Sequence, residues 1–107
     1  MAFNMNMFKI IDINSTISKI NSQDIIILDI RDKKSFLDGH IKGAINLLNE
    51  NINNFINKTE KNKSIIVYCY HGNSSQNAAK FLAKCGFSDV YSLKGGYEEW
   101  ELKINRR

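Results

Sequence analysis

A chain of 107 residues, 43% hydrophobic and 24% charged, has the makeup of about one soluble domain able to bury its own core. Its longest strongly apolar stretch, residues 25–30, is far too short to cross a bilayer, and the N-terminal MAFNMNMFKIIDI has no basic head, sustained apolar segment or small-residue cleavage site, so neither a membrane span nor a secretory signal is expected. The net charge of +4 gathers only at Lys58, Lys61 and Lys63 and at Arg106–Arg107, with no aromatic-basic stripe, which argues against nucleic acid as a partner and for a solvated surface that mildly favours small anions.

The elements follow in order. FKIIDI (8–13) reads as a first short strand, and NSTISKI (14–20) as a short helix with Asn14 or Ser15 as its N-cap and Ile17 and Ile20 on its inner face. DIIILDI (24–30) is apolar on both faces, as a buried parallel strand must be. KKSFLDGH (33–40) predicts one or two helical turns stopped near Gly39, AINL (44–47) a short strand, and NENINNFINK (49–58) a helix carrying Ile52, Phe55 and Ile56.

SIIVY (64–68) is the clearest central strand. SSQNAAKFLAKCG (74–86) is the clearest helix, with Ser74 or Ser75 as cap, Ala78, Phe81, Leu82 and Cys85 as its inner face, and Gly86 as its stop. DVYSL (89–93) predicts a further strand, and GYEEWELK (96–103) a closing helix that packs Tyr97 and Trp100 after a Gly95–Gly96 turn. Strand–helix alternation over the whole length argues one α/β domain, residues 1–107, built on a parallel sheet with helices on both faces.

Two cysteines are too few for a disulfide framework, so a reducing, cytoplasmic setting with free thiols is expected rather than a Cys69–Cys85 bridge. Cys85 lies on an apolar helix face and reads as inert packing. Cys69 opens the segment CYHGNSS, at the carboxyl end of the best central strand, where ligand chemistry gathers in open α/β sheets. Gly72 and Asn73 adopt positive φ readily, so the loop can curl its N–H groups inward into an anion nest, and the helix that follows adds free amides and the positive end of its dipole. Such surroundings lower a thiol's pKa from about 8.5 and favour the nucleophilic thiolate.

The loop also excludes chemistry. A cysteine phosphatase needs an arginine at the sixth position after the cysteine to grip phosphoryl oxygens; here that position is Ser75, and residues 70–77 hold no Arg or Lys. No second cysteine makes a CxxC redox pair, and Cys69, His71, Cys85 and His40 are not expected to converge on a metal, so no metal or cofactor is expected. Sulfur transfer remains, because a singly charged persulfide can be held by main-chain amides.

LDIRD (28–32), FLDGHIKGAINL (36–47), VYCYHGNSSQNAAKFL (67–82) and YSLKGGYEEW (91–100) together resemble the single-domain rhodaneses in order and spacing, over nearly the whole chain. The resemblance implies a rhodanese-like fold, a five-stranded, mostly parallel sheet flanked by helices on both faces. It implies a double displacement in which Cys69 takes the outer sulfur of thiosulfate, releases sulfite, and passes the sulfur to a thiophilic acceptor such as cyanide, a small thiol or thioredoxin. By position, Cys69 is the persulfide carrier and Tyr70, His71, Gly72, Asn73 and Ser74 form the substrate-binding loop. His71 is mostly neutral at pH 7 at its reference pKa of about 6.5, and the loop lacks the basic residue many rhodaneses carry, so a modest affinity for thiosulfate is expected. That lack keeps open an alternative role, a sulfur-relay module loaded by another protein's persulfide. Ser74 is expected chiefly to cap its helix, Asp29 and Arg31 to form a structural pair, with direct substrate contact by Arg31 the lesser alternative, and His40 to satisfy a turn.

Overall fold

The computed structural model describes residues 7–22 and 24–105; the first six residues of the N-terminal stretch read for a signal, and the Arg106–Arg107 pair, lie outside them. The elements are β1 Lys9–Ile11, α1 Ile13–Ser22, β2 Ile25–Asp29, α2 Lys33–Asp38, β3 Ile45–Asn46, α3 Ile52–Lys58, β4 Ser64–Tyr68, α4 Ser74–Lys84, β5 Asp89–Leu93 and α5 Gly96–Asn105. The five strands form one sheet in the order β1-β5-β4-β2-β3, and every pairing is parallel.

β4 lies in the middle of that sheet because its apolar residues need cover on both faces. Ile65 and Val67 point to one face, with Phe55 of α3 and Ala79 and Leu82 of α4. Ile66 and Tyr68 point to the other, where Ile13, Ile17 and Ile20 of α1 and Tyr97 and Trp100 of α5 pack. Alternation along one strand thus feeds two cores, each closed by two helices.

Two sequence expectations need correction. Asp12, rather than Asn14 or Ser15, caps α1: its Oδ1 accepts from the Ser15 amide at 2.8 Å, and that bond with the Ser15 hydroxyl's holds the Asp12 carboxyl below the usual carboxylate range. Ile13 is already helical and buried, so the cap falls one residue before it. On α4 the fully buried or nearly buried residues are Ser75, Ala79, Leu82 and Ala83, while Phe81 is exposed and Ala78 and Cys85 are only partly covered. Small residues let the helix lie close to the sheet, and the large Phe81 stands at its flank.

The carboxyl ends of β2 and β4 are tied together by a buried polar brace. Asp29 is fully buried, and its Oδ2 lies 2.6 Å from Arg31 Nη2, which also donates to the Gly39 carbonyl at 2.6 Å. The guanidinium sits 4.1 Å from the centroid of the Tyr97 ring. Next to it the buried Tyr68 hydroxyl accepts from the Ile41 amide at 3.1 Å. β2, the chain after α2, β4 and α5 therefore share one set of contacts at the end of the sheet where the cysteine lies.

Removing one partner of a buried ion pair strands the other, so Asp29→Ala should lower unfolding stability by about 3–5 kcal/mol. Tyr68→Phe, which strands the Ile41 amide, should cost about 1–3 kcal/mol. Urea midpoints at fixed m-value check both, and near-equal losses for the two variants would contradict the assigned roles.

Candidate active site

Cys69 is the first residue after β4, and α4 begins five residues later at Ser74. Its Sγ accepts from the Gly72 amide at 3.1 Å and from the Ser75 amide at 3.3 Å, and it lies 3.4 Å from Ser75 Oγ. The N-cap position of α4 is Asn73, whose side chain makes no capping bond; Ser74 is the first helical residue and its exposed side chain does not cap. The serine-cap expectation is thus corrected. An amide of the first turn that a cap oxygen would ordinarily accept from goes instead to sulfur, contributed from six residues back along the chain.

The loop can present amides inward because its carbonyls are taken up elsewhere. Tyr97 N donates to the Cys69 carbonyl at 2.8 Å and Glu98 N to the Tyr70 carbonyl at 2.9 Å, so the first turn of α5 holds the outer side of the loop. Gln76 Nε2 takes the Gly72 carbonyl at 3.1 Å. This close approach requires two glycines. Gly72 has φ +99°, and a Cβ there would stand 2.9 Å from the Gly95 amide nitrogen. Gly96 has φ +60°, and a Cβ there would run into the carbonyls of Cys69 and Tyr70.

Cys69 keeps 8% exposure, so its sulfur is sheltered yet not sealed. Burial pushes the thiol's pKa up, but the Ser75 hydroxyl and the amides of Ser75, Gly72 and Ser74 outweigh it and bring the value below that of an ordinary cysteine. The site is an acceptor for negative charge on sulfur, built from neutral donors.

The remaining candidates occupy the rim. Tyr70 is exposed and meets the His71 ring edge-on at 4.6 Å. His71 is 63% exposed on its side chain and lies, through Nδ1, 2.9 Å from Glu98 Oε1. Asn73 is exposed, and Ser74 offers its amide rather than its hydroxyl. Arg31 is engaged by Asp29 and Gly39 and acts in the brace. His40 stacks on Phe36 at 3.8 Å with Nδ1 2.7 Å from the Phe36 carbonyl oxygen, which satisfies a turn. Cys85 is the C-cap of α4, away from the loop in sequence and packed against the core of that face. Among the described residues no three His, Cys, Asp or Glu side chains gather as metal ligands.

Two residues escaped the sequence reading as parts of this site: Ser75, as a donor to sulfur, and Ser92 of β5, whose Oγ lies 2.8 Å from Ser75 Oγ. The available signal for Ser92 was a polar residue near the carboxyl end of a buried strand, beside the strand that bears the cysteine.

A family profile for rhodanese-like domains matches residues 12–103. A protein of Shewanella oneidensis named thiosulfate sulfurtransferase GlpE is 47% identical over 96 residues, covering 90% of this chain and 95% of that one. A Pseudoalteromonas translucida protein of the same name is 47% identical over 100 residues, covering 94% and 95%. Among solved structures, the rhodanese-like domain of an Anabaena protein superposes with a TM-score of 0.80 at 30% identity, covering 91% of this chain and 76% of that one. A rhodanese-related protein of Thermoplasma volcanium gives 0.76 at 26% identity, covering 90% and 93%.

Iodoacetamide should alkylate Cys69 with a half-maximal rate at a pH below the free-thiol value of about 8.5. Because the folded-state pKa is the depressed one, the thiolate's contribution to stability is present above about pH 8.5 and is lost as pH falls through the folded value. The stability difference between the unaltered protein and Cys69→Ala should therefore grow as pH rises toward about 8.5. Gly96→Ala should move the alkylation midpoint upward and lower stability by roughly 1–3 kcal/mol. A midpoint unmoved by that change would mean that α5 does not shape the loop.

Proposed function

This chain belongs to the rhodanese-like domain family, and on that premise we propose that it is a thiosulfate sulfurtransferase whose sulfur carrier is Cys69. The observation that supports this most is the convergence of the Gly72 and Ser75 amides and the Ser75 hydroxyl on a single sulfur. The Cys69 thiolate attacks the outer sulfur of thiosulfate; the sulfur–sulfur bond of the donor breaks and its electron pair departs with sulfite. Cys69 is left as a persulfide anion. A thiophilic acceptor (cyanide, a small thiol or thioredoxin) then attacks the outer sulfur, and the electron pair of the persulfide bond returns to Cys69 as thiolate. The charge passes from Cys69 Sγ to the outer sulfur of the persulfide and back to Sγ, and main-chain amides are donors suited to a single negative charge on sulfur. A reducing, cytoplasmic setting preserves the thiol between turnovers.

Tyr70, His71, Gly72, Asn73 and Ser74 form the loop that meets the donor. Residues 70–77 contribute no Arg or Lys, and His71, the one imidazole there, is paired with Glu98 at 2.9 Å. A dianionic donor therefore meets neutral amides and a nearby carboxylate, which supports modest affinity for thiosulfate and weighs against phosphomonoester hydrolysis. The same observation supports a second role, a relay module loaded by a protein persulfide that brings less charge to the loop.

Intact-mass measurement separates these. Thiosulfate should add one sulfur atom, cyanide should remove it, Cys69→Ser should abolish the addition and Cys85→Ser should retain it. Addition at Cys85 would refute the site. Loading from a protein persulfide but not from thiosulfate would establish the relay role, and no turnover of a phosphomonoester is expected.

A further inference from the structure

On the buried side of the sulfur two serines meet. Ser75 Oγ stands 3.4 Å from Cys69 Sγ and 2.8 Å from Ser92 Oγ, and both serines are 0% exposed. Ser92 belongs to β5 and sits opposite Val67 of β4, two residues before the cysteine, so it reaches this point from a different strand. A hydroxyl in such a place forfeits its water and is tolerated only with a hydrogen-bond partner. Alanine would fill nearly the same space without that demand. The partner of Ser92 is Ser75, and the partner of Ser75 is the reactive sulfur.

Each hydroxyl carries one proton and two lone pairs, so the row of hydrogen bonds through the three groups can run in either direction. With Cys69 as a thiol, its S–H donates to Ser75 Oγ and Ser75 donates to Ser92 Oγ. With Cys69 as a thiolate, Ser92 donates to Ser75 Oγ and Ser75 donates to sulfur. We propose that Ser92 is a positioning residue for the sulfur chemistry, acting through Ser75 to aim that hydroxyl at Cys69 Sγ when the sulfur carries charge. Both O–H bonds rotate between the two arrangements and neither breaks; the thiol proton itself leaves to water. A donor that is itself the target of a second donor is polarised toward its acceptor, so Ser92 strengthens the bond from Ser75 to sulfur. The assignment rests on Cys69 being the sulfur carrier.

The test is a double-mutant cycle read by pH. The rate of iodoacetamide alkylation is followed on the Cys69 peptide by mass spectrometry for the unaltered protein, Ser75→Ala, Ser92→Ala and the double variant. Loss of one neutral hydrogen bond to the thiolate should raise the midpoint in Ser75→Ala by about half to one pH unit. Ser92→Ala should raise it by a smaller amount, and in the Ser75→Ala background it should add nothing. An unmoved midpoint in Ser92→Ala, or an equal shift in both backgrounds, overturns the proposal. On the unaltered protein, the Ser92 ¹³Cβ resonance should titrate with the midpoint of Cys69 alkylation, and a flat response overturns it without any substitution. Alkylation needs no thiosulfate, so failure of sulfur loading at Cys69 and failure of this coupling are separate results.

Discussion

The structure turns on one substitution of roles: a cysteine sulfur stands where the capping acceptor of α4 would stand. The first turn of a helix has amides that no helical carbonyl can satisfy, and most helices answer them with an oxygen from a neighbouring side chain. Here the Ser75 amide points at Cys69 Sγ, and the Gly72 amide joins it from the loop. The arrangement satisfies the helix and the sulfur at once. A thiol accepts hydrogen bonds weakly and a thiolate accepts them well, so the stability of the helix start and the acidity of the cysteine are two expressions of one set of contacts. The lowered pKa of Cys69 follows from that geometry although burial opposes it.

A loop whose amides face inward has carbonyls facing outward, and those need partners too. α5 supplies them through the amides of Tyr97 and Glu98. The position of α5 is therefore part of the site, even though only its first turn touches the loop. The Asp29–Arg31 pair fixes that position by stacking the guanidinium on Tyr97 while holding the carbonyl of Gly39. A buried ion pair is weak evidence for stability by itself, since desolvation offsets much of the attraction. What this pair contributes is alignment: it joins the end of β2, the chain after α2 and the start of α5 into one rigid corner around the cysteine.

Much of this was legible in the sequence, and the failures have physical causes. The strands of residues 25–29, 64–68 and 89–93 announced themselves because a strand covered on both faces must be apolar without interruption. The cysteine loop was legible because glycine beside asparagine between a strand and a helix has few other uses. Helix caps were misread at both α1 and α4. At α1, Asp12, Asn14 and Ser15 are all of capping type, and only the place of the first buried position, Ile13, selects among them. At α4, the acceptor was no serine at all but a sulfur outside the helix, which local preferences cannot reveal. Helical spacing of apolar residues puts Ala78, Phe81, Leu82 and Cys85 on one face of α4; of these Leu82 is fully buried, and close packing on the sheet selects Ala79 and Ala83 beside it. Ser75 and Ser92 were invisible as a pair because they lie 17 residues apart and meet only once β5 is laid beside β4.

The same cradle also explains what the site is poorly suited to hold. Amides and hydroxyls supply partial charges at short range, and such donors serve one concentrated negative charge at one atom. A phosphoryl dianion spreads its charge over three oxygens and calls for a full, planar counter-charge, which the loop does not contain. Arg31 is close in sequence terms to the carboxyl end of the sheet, but its Nε and Nη2 are committed to Asp29 and Gly39. The rim adds Glu98, whose carboxylate pairs with the imidazole of His71. Charge count at the mouth and donor geometry at the sulfur therefore point the same way. They favour the chemistry proposed for Cys69, in which one negative charge rests on sulfur in each state, on Sγ of the thiolate and on the outer sulfur of the persulfide.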